Sequence, residues 1–108
     1  MFVGTNVTIG DEIYVVPPIS LGQLRNGLLS KLQEHDKLIA EGKTFEAIAL
    51  RGEVILSALR RNYPDFPEGK LYDYLDMSNS TPLWLTILGV SGFMPGETLA
   101  ATEVKSGT

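Results

Sequence analysis

The chain has no cysteine in its 108 residues, which excludes disulfides and thiolate metal sites and suits a reducing compartment without requiring one. It has a single histidine, His35, so any acid-base chemistry near neutral pH rests on one imidazole. Basic residues are too few to balance the acids. Nine Lys and Arg against 13 Asp and Glu leave a net charge of −4 and remove the counterion release that drives nucleic-acid binding. No stretch approaches the roughly 20 apolar residues needed to span a bilayer. The start, MFVGTNVTIGDEI, lacks the basic and apolar regions of a secretion signal. A soluble, untargeted protein with neither nucleic acid nor membrane as a partner is the expectation, and the lack of repeats or composition shifts argues for one domain.

Against these absences stands a hydrophobic content of 44%, enough for a thin core at this length. The expected fold class is mainly α: a small bundle of about four helices, two long and two short, preceded by an N-terminal β-hairpin. The domain covers residues 1–93, and the small, polar, aperiodic residues 94–108 read as a flexible tail. The hairpin falls at about residues 7–16, where β-branched residues flank Gly10-Asp11. Its register stays open, because a loop longer by one residue would exchange the two faces. Pro17-Pro18 then ends strand pairing.

Ser20 is a candidate N-cap for a first helix running to Glu41-Gly42, with Leu21, Leu24, Leu28, Leu32, His35 and Ile39 along one face. Thr44 is expected to cap a second helix whose apolar arc is Phe45, Ile48, Ala49, Gly52, Ile55, Leu56 and Leu59. The short side chains at Ala49 and Gly52 would let a neighbouring helix approach, and the two long helices are expected to pair antiparallel. Pro64 and Pro67 end the second helix. Glu68 to Leu75 forms a short third, and Ser80-Thr81-Pro82 opens a fourth through Leu88 by supplying a cap and a first-turn proline.

No constellation in the chain carries chemistry, and no residue pattern calls for a cofactor. His35 lies on an apolar helical stripe, where a core-edge imidazole is the ordinary reading. Asp65, Glu68, Asp73 and Asp76 miss the ligand spacing of a calcium loop and read as a solvated acidic surface, so no metal is assigned. Arg60-Arg61 read as surface ion pairs, with phosphate binding as the lesser alternative. Ser91 lacks the spacing of a hydrolase elbow. The fourth helix differs, being apolar all round. Leu83, Trp84, Leu85, Leu88, Val90 and Phe93 are therefore candidate partner-binding residues, and they are equally candidates to fill the core between the first two helices.

Taken in order, Pro17-Pro18-Ile19-Ser20-Leu21-Gly22-Gln23-Leu24, Ala58-Leu59-Arg60-Arg61-Asn62-Tyr63-Pro64, Leu75-Asp76-Met77-Ser78-Asn79 and Leu88-Gly89-Val90-Ser91-Gly92 resemble the small tail assembly chaperones of long-tailed bacteriophages and prophages. The resemblance spans about residues 7–93 and rests on the order and spacing of short motifs. It implies a non-enzymatic protein of the bacterial host cytoplasm, absent from the mature virion. Such a protein binds the tape-measure protein, keeps its long helical chain soluble and aids recruitment of tail-tube subunits; self-association is compatible with that role. An apolar groove flanked by acidic surface would take the apolar face of a partner helix. The alternatives are a structural virion component, such as a tail-completion or connector protein, and a small regulator of a host protein.

Overall fold

The computed structural model describes residues 1–93 of the chain, and the expected tail at 94–108 lies outside the described residues. Two strands, β1 (Thr5–Ile9) and β2 (Glu12–Val16), form the hairpin, and helical elements follow it in the expected order. The mainly helical architecture with an N-terminal antiparallel hairpin is the expected one.

The two-residue turn settles the register. Gly10 adopts a positive φ of 68°, Ile9 pairs with Glu12 and Val7 with Tyr14, so the inward face carries Val7, Ile9, Tyr14 and Val16. Ile13 points outward and is 68% exposed. Glu12 shares the inward phase but sits at the hairpin end, where it accepts from the Tyr14 hydroxyl and pairs with Lys70.

The first long helix is interrupted, which corrects the expectation of a continuous segment. Ser20 does cap it: its hydroxyl accepts from Gln23 N at 3.0 Å, and the Gln23 carbonyl oxygen accepts from Ser20 N at 2.9 Å, a reciprocal capping box. After α1 (Leu21–Gln23), however, the chain widens into a π-type turn over Leu24–Leu28, where Gly27 takes a φ of 127° that helical residues avoid. Helix α2 (Leu29–Ala40) then resumes. The break displaces Leu21, which is 83% exposed, from the stripe; Leu28, Leu32 and His35 are buried as expected, and Ile39, in phase with them at the end of α2, is 42% exposed. Helix α2 stops at Gly42, φ 77°, where Lys43 N bonds Leu38 O and Gly42 N bonds Ile39 O, the paired bonds of a Schellman motif.

Helix α3 (Thr44–Arg60) is the central element. Lys43 occupies its N-cap position without a side-chain bond, so Thr44 is the first helical residue and not the cap. Its buried residues are Ala47, Arg51, Gly52, Val54, Ile55, Leu56, Ala58 and Leu59, a broad arc that leaves Glu53 and Arg60 exposed on the other side. The expected arc holds from Gly52 onward and fails at its start, where Phe45 is 76% exposed and Ala49 faces solvent. Gly52 does admit close approach, although the visitor is a ring: a Cβ there would lie 2.5 Å from Tyr72 Cε1 of the short helix α4 (Glu68–Tyr74).

Helix α5 (Ser80–Val90) closes the core against α3 and the hairpin. Its cap also differs from expectation. Ser80 is fully buried and helical, and the capping is done by Asp76, whose carboxylate accepts from Ser78 N at 2.9 Å and Asn79 N at 2.8 Å while Asn79 Oδ1 accepts from Asp76 N. These bonds hold the Asp76 carboxyl below its usual range, the Ser78 hydroxyl contributing most. At the other end Gly92, φ 93°, carries a second Schellman motif, with Phe93 N bonding Leu88 O, and Phe93 packs against the core.

Candidate functional site

The fourth helix, apolar all round in sequence, turns out to be mostly core. Leu83, Trp84 and Leu88 are 9%, 4% and 2% exposed, so they cannot present a docking surface while the domain is folded. Val90 and Phe93 are half-buried, and of the expected set only Leu85 is substantially exposed, at 41%. The outer side of α5 carries Pro82, Leu85, Thr86 and Gly89, too small and mixed in character to need a cover. A helix without a polar face is enclosed here because it packs on α3 and the hairpin, with His35 of α2 against its Trp84.

Trp84 is held by a buried polar network. Arg51, only 9% exposed, donates from Nε to His35 Nε2 at 2.9 Å and from Nη1 to Thr81 Oγ1 at 2.8 Å, with Ser80 Oγ at 3.4 Å. His35 Nδ1 lies 3.0 Å from Asp36 Oδ1, and its ring stacks on Trp84 at 4.5 Å between centroids. The Arg51 guanidinium sits 5.8 Å over the same indole. Because Nε2 accepts from Arg51, the imidazole is neutral with its proton on Nδ1. Burial lowers the His35 pKa; Asp36 opposes that and the Arg51 charge adds to it. Burial likewise lowers that of Arg51. Both imidazole nitrogens are thus occupied, Nε2 by Arg51 of α3 and Nδ1 by Asp36 of its own helix, and neither is presented to a substrate. Arg51 was not singled out in sequence, although Ala47, Arg51, Val54 and Ala58 at spacings of four and three mark a second inward face of α3.

The remaining candidates are structural as well. Arg60 and Arg61 do not form the expected ion pairs: Arg60 donates from Nε and Nη2 to Phe66 O at 3.1 and 2.8 Å, and Arg61 donates from Nη1 to Pro18 O at 2.7 Å with its guanidinium 3.8 Å over Phe2. Ser91 Oγ accepts from Ile19 N at 2.9 Å. Asn62 Nδ2 donates to Val15 O, and the Tyr63 hydroxyl accepts from Val15 N, so the end of α3 clamps β2. Among the described residues no three His, Asp or Glu side chains come together to hold a metal, and no helix is long and apolar enough to cross a membrane.

Among the exposed apolar side chains, which include Ile13, Leu21 and Met77, two flank a single turn at the α2–α3 end. Ile39 precedes the Glu41–Lys43 turn and Phe45 follows it, 42% and 76% exposed, with exposed Ala40 on α2 and Ala49 one turn beyond Phe45 on α3. Ordered helices hold these groups in place, and charged residues Lys37, Glu41, Lys43 and Glu46 rim them. The arrangement is that of an apolar contact with a polar edge. No family model, no curated protein and no solved structure matches this chain.

Proposed function

We propose that this protein is a tail assembly chaperone of the kind made by long-tailed bacteriophages and prophages, acting without catalysis in the host cytoplasm. On this reading it binds the tape-measure protein, keeps that long helical chain soluble and assists recruitment of tail-tube subunits. The observation that carries it is Phe45, 76% exposed on the ordered helix α3, with exposed Ile39 on the other side of the α2–α3 turn. A phenylalanine fixed on a helix and left in water suits capture of another helix, whose apolar face would cover it. The order of the Pro17–Leu24, Ala58–Pro64, Leu75–Asn79 and Leu88–Gly92 segments supports the same reading. The docking residues assigned from sequence give way to Ile39 and Phe45, with Leu85 as the exposed member of the earlier set.

Co-expression with the long tail protein encoded beside it provides the test. Recovery of that protein in the soluble fraction, bound to this chain, with the chain missing from finished particles, is the expected outcome. Failure to hold it in solution, or retention of the chain in particles, overturns the proposal.

A further inference from the structure

The ion pairs among the described residues use lysines, and none uses an arginine. Two of those arginines, Arg60 and Arg61, line one open cleft of about 340 Å³ together with Gln23, Asn26, Leu28 and Ser57. Each guanidinium is fixed by a backbone carbonyl, Phe66 O for Arg60 and Pro18 O for Arg61, and a carbonyl orients a cation without cancelling its charge. A guanidinium has five N–H donors. Arg60 uses two of them on Phe66 O and Arg61 one on Pro18 O, which leaves both forks with donors to spare. Gln23 closes one wall, its amide tied to Ser57 O at 2.9 Å. Leu28 is buried, and Asn26, exposed in the kinked turn, makes no hydrogen bond from its side chain among the described residues. On a chain of net charge −4 this is a concentrated and pre-oriented positive site.

We infer that this cleft recognises a carboxylate side chain on a protein partner. Planar forks anchored from behind match the planar geometry of a carboxylate, and the apolar floor at Leu28 suits the methylenes of a glutamate. The acidic remainder of the surface repels a polyanion such as nucleic acid, whereas one or two carboxylates on a helix meet only the local field. The inference rests on the reading that the chain binds a protein, and it adds a polar, orienting contact to the apolar one at Phe45. A carboxylate contact of this kind would set the direction in which a partner helix lies.

The test uses the full chain and a fluorescent helical peptide carrying glutamates one turn apart, beside a twin with glutamines at those positions. The expected result is binding of the glutamate peptide at least tenfold tighter than its twin and weaker with added salt. Asn26→Glu, which places a competing carboxylate in the cleft, should weaken that binding tenfold or more while leaving thermal melting unchanged. Arg60→Gln, which keeps one donor for Phe66 O and removes the charge, should weaken it about fivefold and serves should the first variant melt early. Equal binding of the twin, wild-type affinity in both variants, or full displacement by equimolar inorganic phosphate would overturn the inference. A chain that fails to solubilise the tail protein yet still selects the glutamate peptide sinks the chaperone reading and leaves the cleft standing; the reverse pattern sinks the cleft alone.

Discussion

Stability should fall as the pH drops from 7 to 5, and His35 is the reason. The imidazole is 4% exposed and accepts a hydrogen bond from Arg51 Nε at 2.9 Å, so adding a proton to Nε2 sets one N–H against another and places a second cation beside a buried guanidinium. Its pKa in the folded chain is below the unfolded value, chiefly through burial. The unfolded chain therefore takes up a proton below about pH 6.5 while the folded chain does not, and each further unit of acidity costs up to about 1.4 kcal/mol. Over the 1.5 units from pH 6.5 to 5.0 the loss stays below about 2 kcal/mol, still a sizeable part of the roughly 5–15 kcal/mol that holds a domain of this kind together. No second histidine is present to share the effect. Urea unfolding followed by far-ultraviolet circular dichroism at pH 7, 6 and 5 measures it, with His35→Gln as the control. Glutamine can still accept from Arg51 and does not titrate, so the variant should start less stable, having lost the stacking on Trp84, and should show little of the slope. Parallel slopes in the two proteins, or a wild-type chain indifferent to this pH range, would refute the network as described.

Trp84→Ala should cost about 3–5 kcal/mol, as truncation of a buried aromatic does, whereas Leu85→Ala on the outer side of the same helix should cost under about 1 kcal/mol; similar values in thermal and chemical denaturation would contradict the placement of α5. Phe45→Ser should leave stability within about 0.5 kcal/mol and lower the soluble yield of the tape-measure protein in co-expression, and an unchanged yield would remove Phe45 from the contact. Asn62→Ala removes bonds to Phe2 N, Phe2 O and Val15 O and should cost about 1–3 kcal/mol, with faster amide exchange in β2 read by nuclear magnetic resonance; protection equal to wild type would show that the hairpin needs no clamp.

The elements themselves were legible in the residues because their signals are local. Prolines at 64 and 67 stop α3, Gly42 ends α2, and β-branched runs around Gly10-Asp11 make a hairpin. Which face goes inward was less legible, since it depends on contacts far along the chain. The stripe from Leu21 to Ile39 assumed unbroken helical phase, which the positive φ at Gly27 breaks after Leu21, and Ile39 keeps the phase of Leu32 and His35 but lies at the end of α2, where no neighbour covers it. Phe45 fits the apolar period of α3 perfectly well and stays in water because the partners that cover Gly52, Ile55 and Leu59 do not reach the helix start. Arg51 was hidden for the opposite reason: a charged residue suggests solvent, and its burial depends on His35, Ser80 and Thr81 arriving from two other helices.

The segments Pro17–Leu24, Ala58–Pro64, Leu75–Asn79 and Leu88–Gly92 are the places where the fold is joined. Ile19 of the Pro-Pro-Ile-Ser segment donates its backbone N–H to Ser91 of Gly-Val-Ser-Gly; Arg61 holds Pro18 O; Asn62 and Tyr63 hold the two backbone groups of Val15 that point away from β1. Asp76 and Asn79 cap α5 reciprocally within the Leu75–Asn79 link. Residues in such positions cannot be exchanged without losing a bond that ties one segment to another, so motifs of this kind state how a chain folds and leave the rest of its surface free to differ. The contacts proposed for a partner, Phe45 at one end of α3 and the Arg60-Arg61 cleft at the other, belong to that surface, with the arginines serving both purposes. Helix α3 spans 17 residues, about 25 Å at 1.5 Å per residue, so a partner helix of four to five turns lying along it would meet the apolar contact and the charged one together.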